Sequence, residues 1–440
     1  MPDQDILALN AFDPRAATAI GQAVERRLRS FGAGSVLFYQ EPIEMVRAEG
    51  VWLHAADGRH YLDVYNNVPS VGHCHPRVVE AVRRQVGTLN IHTRYLNAVV
   101  DAYAERLLAT LPAAIDNLVL TCTGSEANDL ALRVARAATG GQGFVVTRTA
   151  YHGNTAAVTD ISPASRPGRP LAPHVRAVAP PDLYRAPDPG ARLAAAVAEA
   201  AADLKQRGLG FAGFIADSVF SSDGVHVDPV GLLGPVVEAV RAASGLFIAD
   251  EVQPGFGRTG AALWGFARHG VVPDIVTLGK PMGNGFPMGG MALNADLLAA
   301  FNAEDKYFNT FGGNPVAAAA GLAVLDVIRD EGLIDNARAV GDHLLQGLRE
   351  IANAHVAIGD VRGAGLFIGL ELVADREART PAPAIATAVI EGLRREGILI
   401  GAAGPHGSTL KIRPPLCFSR DNADRVVEAC DTVLRGLPVG

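Results

Sequence analysis

The sequence predicts an α/β protein: a large domain on a mainly parallel, doubly wound sheet, plus a smaller α/β C-terminal domain. Two observations carry this. Short apolar runs bounded by turn residues (NLVLTC, GFVVTR, AGFIAD, GLFIAD and DIVTLG) recur through the middle of the chain. Between them lie segments of helical spacing, among them VVEAVRRQV, AYAERLLATL and EANDLALRVARAA. Strands covered on both faces by crossover helices read as continuous apolar runs rather than as alternation. At 440 residues and 49% hydrophobic, the chain is long enough for one large domain with a smaller companion.

Residues 1–60 read as an N-terminal arm with short strands, assigned to the small domain. Within it, EMVRAEGVWLHAADGRHYLDV holds two apolar runs broken by Asp57-Gly58, a hairpin signal. Residues 61–325 form the expected large domain. From Pro315 an Ala-rich pattern runs to about Asn353 as one or two helices linking the domains. Residues 326–440 form the small domain, whose tail reads strand, helix, strand, helix through GLFIGLELV, AIATAVIEGLRREG, TLKIRPPL and RDNADRVVEACDTVLRGL.

Composition excludes several classes of function. The net charge of −7 is modest and no basic patch stands out, which argues against nucleic acid or an anionic membrane as partner. No apolar stretch of about 18 residues is present, so no transmembrane helix is expected. The start, MPDQDILALNAFDPRAA, lacks the basic-then-apolar pattern of a signal peptide. Cys74, Cys122, Cys417 and Cys430 are scattered without a C-x-x-C pair, as expected in a reducing cytoplasm.

Four segments carry chemistry when read together. Thr123-Gly124-Ser125-Glu126-Ala127-Asn128 joins an apolar run to a helical one. A helix N-terminus with a glycine and a hydroxyl suits a phosphate, although alone the segment reads more readily as a plain N-cap by Ser125. Asp250-Glu251 closes a buried run, where open α/β sheets place ligands, and an aspartate there can keep a pyridine nitrogen protonated. The alternative is a solvated strand end. Lys280 closes another apolar run before Pro281-Met282-Gly283. A desolvated lysine forms imines readily; a snorkelling lysine is the other reading. Tyr151-His152-Gly153 follows GFVVTR, and its aromatic could stack on a flat cofactor or sit at the core rim.

Other motifs are weaker. Gly255-Phe256-Gly257-Arg258-Thr259-Gly260 fits the G-x-G-x-x-G of dinucleotide folds, but no clear helix follows it. Gly363-Ala364-Gly365 precedes a strand and fails the same test. His73-Cys74-His75 lacks a second ligand pair, and Pro76 opening a helix makes it a turn, so no metal site is expected. Ser125 lacks the G-x-S-x-G context of a nucleophile. Arg133 and Arg136 read as a solvated helix stripe.

The segments resemble, in order and over nearly the whole chain, the class III aminotransferases, the ω-aminotransferase-like branch of fold-type I pyridoxal-phosphate enzymes. The resemblance rests on Glu49-Gly50-Val51-Trp52, Gly72-His73-Cys74-His75-Pro76, Gly124-Ser125-Glu126-Ala127-Asn128, Tyr151-His152-Gly153, Asp250-Glu251-Val252-Gln253, Gly279-Lys280, Thr310-Phe311-Gly312-Gly313-Asn314-Pro315 and Arg413-Pro414-Pro415-Leu416. It implies pyridoxal 5′-phosphate as cofactor, held on Lys280 as a Schiff base, with Lys280 also moving the proton. It implies Asp250 against the pyridinium nitrogen, Val252 and Tyr151 on the two ring faces, Gln253 near the phenolic oxygen, and Gly124 and Ser125 at the phosphate. Thr310 would reach the neighbouring subunit's cofactor, so a homodimer follows from the likeness, with pairing of dimers into a tetramer left open. Arg413 resembles the family's carboxylate-binding arginine. Where the family usually has Glu-Pro or Glu-Ser, this chain has Ala216-Asp217-Ser218. The shorter acid reaches less far, so the glutamate that masks the substrate arginine is not carried over to it.

The expected reaction is transfer of an amino group from an amine or amino acid to a keto acid. Elimination is the alternative: Tyr65-Asn66-Asn67-Val68, Thr93-Arg94-Tyr95-Leu96 and Gly279-Lys280-Pro281-Met282-Gly283-Asn284-Gly285 look closest to the alanine–glyoxylate-aminotransferase-2-like group, which includes phospho-lyases acting on phosphoethanolamine or phosphohydroxylysine. Both reactions need the same residues to free the proton. A phospho-lyase needs a second anion site, for which Arg94 and Arg413 are the cationic candidates. A regulator with an idle aminotransferase-like body is disfavoured, because the lysine is present and no separate DNA-binding domain fits in the arm.

Overall fold

The computed structural model describes residues 8–15, 20–34 and 36–437; much of the start of the chain examined for a signal peptide lies outside them. The chain opens with α1 (Gln22–Phe31), a surface helix with no buried residue, where the sequence reading expected only strands. β1 (Met45–Glu49), β2 (Trp52–Ala55) and β3 (His60–Asp63) follow as an antiparallel meander, with the hairpin at Asp57-Gly58 as expected. Next come α2 (Pro76–Val86), capped by His75 and opened by Pro76, and α3 (Ala98–Leu108).

The central sheet is built from β4 (Asn117–Thr121), β5 (Gly143–Thr147), β6 (Val175–Val178), β7 (Phe211–Asp217), β8 (Leu246–Asp250), β9 (Ile275–Leu278) and β10 (Gly289–Leu293). Their order is β4-β10-β9-β8-β7-β5-β6. Only β10 runs against the rest, pairing antiparallel with both β4 and β9. The crossovers are α4 (Gly124–Thr139), α5 (Ala156–Asp160), α6 (Pro189–Gln206) and α7 (Gly234–Ala242), and α8 (Ala295–Glu304) follows the last strand. Successive residues of a strand face opposite sides. In β8, Phe247 and Ala249 join one apolar cluster while Ile248 joins the other. The sheet is thus covered on both faces, as the unbroken apolar runs predict.

The Ala-rich pattern is two helices, α9 (Pro315–Asp330) and α10 (Leu333–Ala352). Asn314 caps α9 by accepting from the Ala317 N–H. After them, β11 (Ile358–Ala364), β12 (Phe367–Asp375), β13 (Thr380–Pro381), α11 (Pro383–Arg395), β14 (Ile398–Leu399), β15 (Gly401–Ala403), β16 (Thr409–Ile412) and α12 (Arg420–Arg435) complete the chain. β11, β12, β16 and β15 form an antiparallel sheet in that order. β14 instead pairs in parallel with β3, joining the start of the chain to its end.

The dinucleotide-like motif does not open a helix. It is a chain of turns in which buried Arg258 donates to the carbonyls of Leu366 and Pro414. Among the described residues no group of side chains could hold a metal ion, and no helix is long and apolar enough to cross a membrane.

Candidate active site

The parallel strands direct their carboxyl ends to one edge, and a cavity of about 290 Å³ opens there. Gly124, Ser125, Tyr151, Asp250, Val252, Gln253 and Lys280 all line it, together with Asp217. These residues are scattered over more than 150 positions of sequence; the sheet brings them together because each follows or closes a neighbouring strand.

One wall is the first turn of α4. Its N-cap is Thr123, not Ser125: the Thr123 hydroxyl accepts from the Glu126 N–H at 3.1 Å, and the Glu126 carboxylate accepts from the N–H groups of Cys122 and Thr123 at 2.7 and 2.9 Å. Such a capping box contributes about 1 kcal/mol to the helix and leaves the Gly124 and Ser125 N–H groups for a ligand. Ser125 Oγ accepts from the Asn154 N–H at 3.2 Å, so its proton is free to point into the cavity. A Cβ on Gly124 would stand 2.8 Å from Val252 Cγ2, so only glycine lets α4 and Val252 close together here.

The floor is Asp250, 4% exposed. Its Oδ1 accepts from the Val252 N–H at 3.0 Å. Its Oδ2 pairs with His152 Nδ1 at 2.7 Å and accepts from Asn128 Nδ2 at 3.0 Å. Asn128 also holds the His152 carbonyl at 2.7 Å. A buried carboxylate is tolerated only when its lone pairs are occupied, and here three donors fix its orientation. His152 and Asn128 were not singled out in the sequence. His152 was visible only as the middle of the Tyr151 motif, and Asn128 only as one polar position on a helix.

Lys280 follows β9 and reaches into the cavity, where its side chain is exposed. The protein packed around it, with Arg413 nearby, holds its ammonium below the usual lysine range, while Asp250 and Asp217 offset part of the shift. Arg413 lies just past β16 and is buried. Its Nη1 donates to Gln253 Oε1 and, at 3.2 Å, to Asn67 Oδ1, and its guanidinium stacks 4.7 Å from the Tyr65 ring centre. The arginine is masked by two neutral amides. Asp217 is not the mask: its carboxylate accepts from the N–H groups of Val219 at 2.9 Å and Ser221 at 3.2 Å.

Lys411 is a further cation that sequence reading missed. It sits inside β16 between Leu410 and Ile412, two positions from Arg413 and hence on the same side of the chain. It is 5% exposed, and neither a hydrogen bond nor an ion pair holds its ammonium among the described residues. Burial, with Arg413 and Lys280 adding to it, pulls its pKa well down, against Asp217 and Asp223. A lysine within an otherwise apolar strand was the available signal.

Behind Asp250, Glu251 is fully buried and accepts from Ser218 Oγ (2.6 Å) and the N–H groups of Gly265 (2.7 Å) and Phe266 (2.9 Å). Burial still outweighs these bonds and pushes its pKa up to about 7. A carboxyl whose folded pKa is raised holds its proton better in the folded state. Its contribution to stability is therefore complete below the unfolded value and is lost as pH rises through about 7. Denaturant titrations should show stability falling from pH 5 to pH 7.5 by on the order of 3 kcal/mol from this group. Glu251→Gln should flatten that slope; an equal slope in the variant would refute the assignment.

Thr310 and Arg94 do not line this cavity. Thr310 is exposed, and Arg94 lies over the Phe308 ring, 3.9 Å from its centre, on the same outer surface.

A helix N-terminus, a clamped aspartate and a desolvated lysine at the carboxyl edge of a parallel sheet define a fold-type I pyridoxal-phosphate-dependent enzyme. The chain belongs to the class III aminotransferase family, whose model matches residues 38–434. It is 40% identical over 418 residues to a Drosophila melanogaster alanine–glyoxylate aminotransferase 2-like protein, with 92% of this chain and 85% of that protein covered. It is 39% identical to ethanolamine-phosphate phospho-lyase homolog 1 of Caenorhabditis elegans, covering 94% of this chain and 93% of that one. Among solved structures, a phospholyase from Arthrobacter in complex with phosphoethanolamine superposes with a TM-score of 0.91 at 44% identity, covering 95% of this chain and all of that one.

Proposed function

We propose that the enzyme moves an amino group from an amine or amino acid to a keto acid. The observation that supports this best is Arg413, held beside Lys280 by two neutral amides that an incoming carboxylate could replace. Bound pyridoxal 5′-phosphate would supply an electron-withdrawing ring that acidifies the carbon bearing the substrate's nitrogen. The residues fit that group. The uncommitted N–H groups of Gly124 and Ser125 would take its phosphate, and Asp250 would keep its ring nitrogen protonated. Tyr151 and Val252 would cover its faces, and Gln253 would approach its oxygen. Lys280, with its depressed pKa, would take the proton from the substrate carbon and return it elsewhere.

Phosphate elimination from an amino-phosphate is the second reading. It is favoured by the likeness to the Arthrobacter phospholyase, and by Lys411 two residues from Arg413, where a bound dianion would favour the charged form of the amine. Purified protein should be offered phosphoethanolamine without keto acid and assayed for free phosphate, beside an assay of amino acids with keto acids. Transamination requires keto-acid-dependent conversion and no phosphate. Phosphate released without a keto acid would replace the first reading with the second.

The division into 1–60, 61–325 and 326–440 stands as part of this reading, supported by the pairing of β3 with β14, although β3 carries the arm's sheet on to Asp63. A homodimer is proposed because Thr310, Phe311 (71% exposed), Tyr95 (62%) and Leu96 (98%) crowd one surface beside Arg94. In it, Thr310 and Arg94 would serve the partner's site. Light scattering should give twice the chain mass or a multiple of it, and a monomer mass would defeat this assembly. Four free cysteines are in keeping with a cytoplasmic compartment.

A further inference from the structure

A second cavity, about 590 Å³, lies between the end of β6, the start of α6 and the C-terminal antiparallel sheet. It is not part of the Lys280 site. One wall is a closed ionic network: Arg185 pairs with Asp182 (2.9 Å) and Glu371, and Glu371 pairs with Arg362 (2.8 Å). These charges are satisfied and offer little to a ligand.

Two other buried groups in the lining are not satisfied. His226, 4% exposed, has Nε2 against the Asp223 carbonyl at 3.1 Å. A carbonyl only accepts, so Nε2 carries the proton and Nδ1 is a bare acceptor with no partner among the described residues. Burial pushes the ring's pKa down to about 4, so it stays neutral. The Ser408 hydroxyl, on a residue 3% exposed, also lacks a partner among the described residues.

Nearer solvent, Arg192 lines the cavity from the first turn of α6 and makes no ion pair among the described residues. The N-cap of α6, Asp188, makes no side-chain cap bond and Pro189 has no N–H, so the Gly190 and Ala191 N–H groups are the open donors at this helix end. Pro180, Pro181 and Leu193 supply apolar surface between these poles. Among the described residues the unpaired acids nearby are Glu199, seven residues along α6 from Arg192 and about 10 Å away, and the exposed N-cap Asp188, which does not line the cavity.

We propose that this cavity binds a small hydroxycarboxylic acid with an apolar body. Its carboxylate meets Arg192 and the α6 N-terminus, and its hydroxyl donates to His226 Nδ1 with Ser408 alongside. The test uses 4-hydroxybenzoate as probe, titrated calorimetrically into the holoenzyme with the Lys280 site blocked by aminooxyacetate. One saturable site per chain is expected in the blocked enzyme. Affinity should fall at least about tenfold for benzoate, which lacks the donor, and for 4-hydroxybenzyl alcohol, which lacks the charge. It should fall similarly in Arg192→Gln, a change at an exposed position that leaves the fold intact, and in Ser408→Ala. Absence of saturable binding, loss of it on blocking the Lys280 site, or equal affinity in Arg192→Gln would overturn the proposal.

Discussion

Alanine in place of Lys280 is expected to cut turnover by at least about 10⁴-fold, because the proposed function gives this one side chain both the covalent hold on the cofactor and the transfer of the proton. The Gly124 and Ser125 N–H groups and Asp250 remain in the variant, so cofactor should still bind, but without a covalent link. Native protein treated with borohydride should retain the cofactor on the peptide containing Lys280, with an absorbance band near the visible–ultraviolet boundary in the untreated enzyme. The variant should show neither the modified peptide nor that band in its native position. Residual turnover within about 100-fold of native, or a borohydride adduct on Lys411, would move the chemistry to a different lysine.

The second large effect is expected from Asp250→Asn, with turnover falling about 10³-fold while cofactor stays bound. The amide has nearly the same shape but no charge, and it turns an NH2 group towards two donors, His152 and Asn128. Asp250→Glu, which keeps the charge, should recover part of the rate if electrostatics dominates. An asparagine variant within about tenfold of native turnover would show that Asp250 acts only through packing.

Much of this was legible because the chemistry sits where the sequence changes character. Gly124, Asp250 and Lys280 each stand at or just beyond the end of an apolar run, and an abrupt polar residue there is conspicuous. What was missed lacks such a boundary. β6 is a four-residue edge strand with its two middle residues only partly buried, and β10 begins with two glycines, so neither reads as a core strand. The helix α1, QAVERRLRSF, buries nothing, so no core-facing stripe fixed it as a helix within the arm. Lys411 is hidden by its apolar neighbours. The mask on Arg413 could not be read at all, because Gln253 and Asn67 reach it from 160 and 346 residues away, contacts only the fold can bring about.

The pairing of β3 with β14 has a consequence for how the chain is made. On the ribosome, residues 60–63 emerge early, but their parallel partner is residues 398–399. Until about 335 further residues have been made β3 therefore presents an unpaired edge, and the arm can settle only after the central sheet has been synthesised. Closure over so long a sequence separation is slow, and an open strand edge is prone to pairing with a neighbour. Truncation before residue 398 should therefore leave the β1–β3 meander exposed to proteolysis even where the central sheet has folded, making a late step of assembly one that joins segments about 335 residues apart.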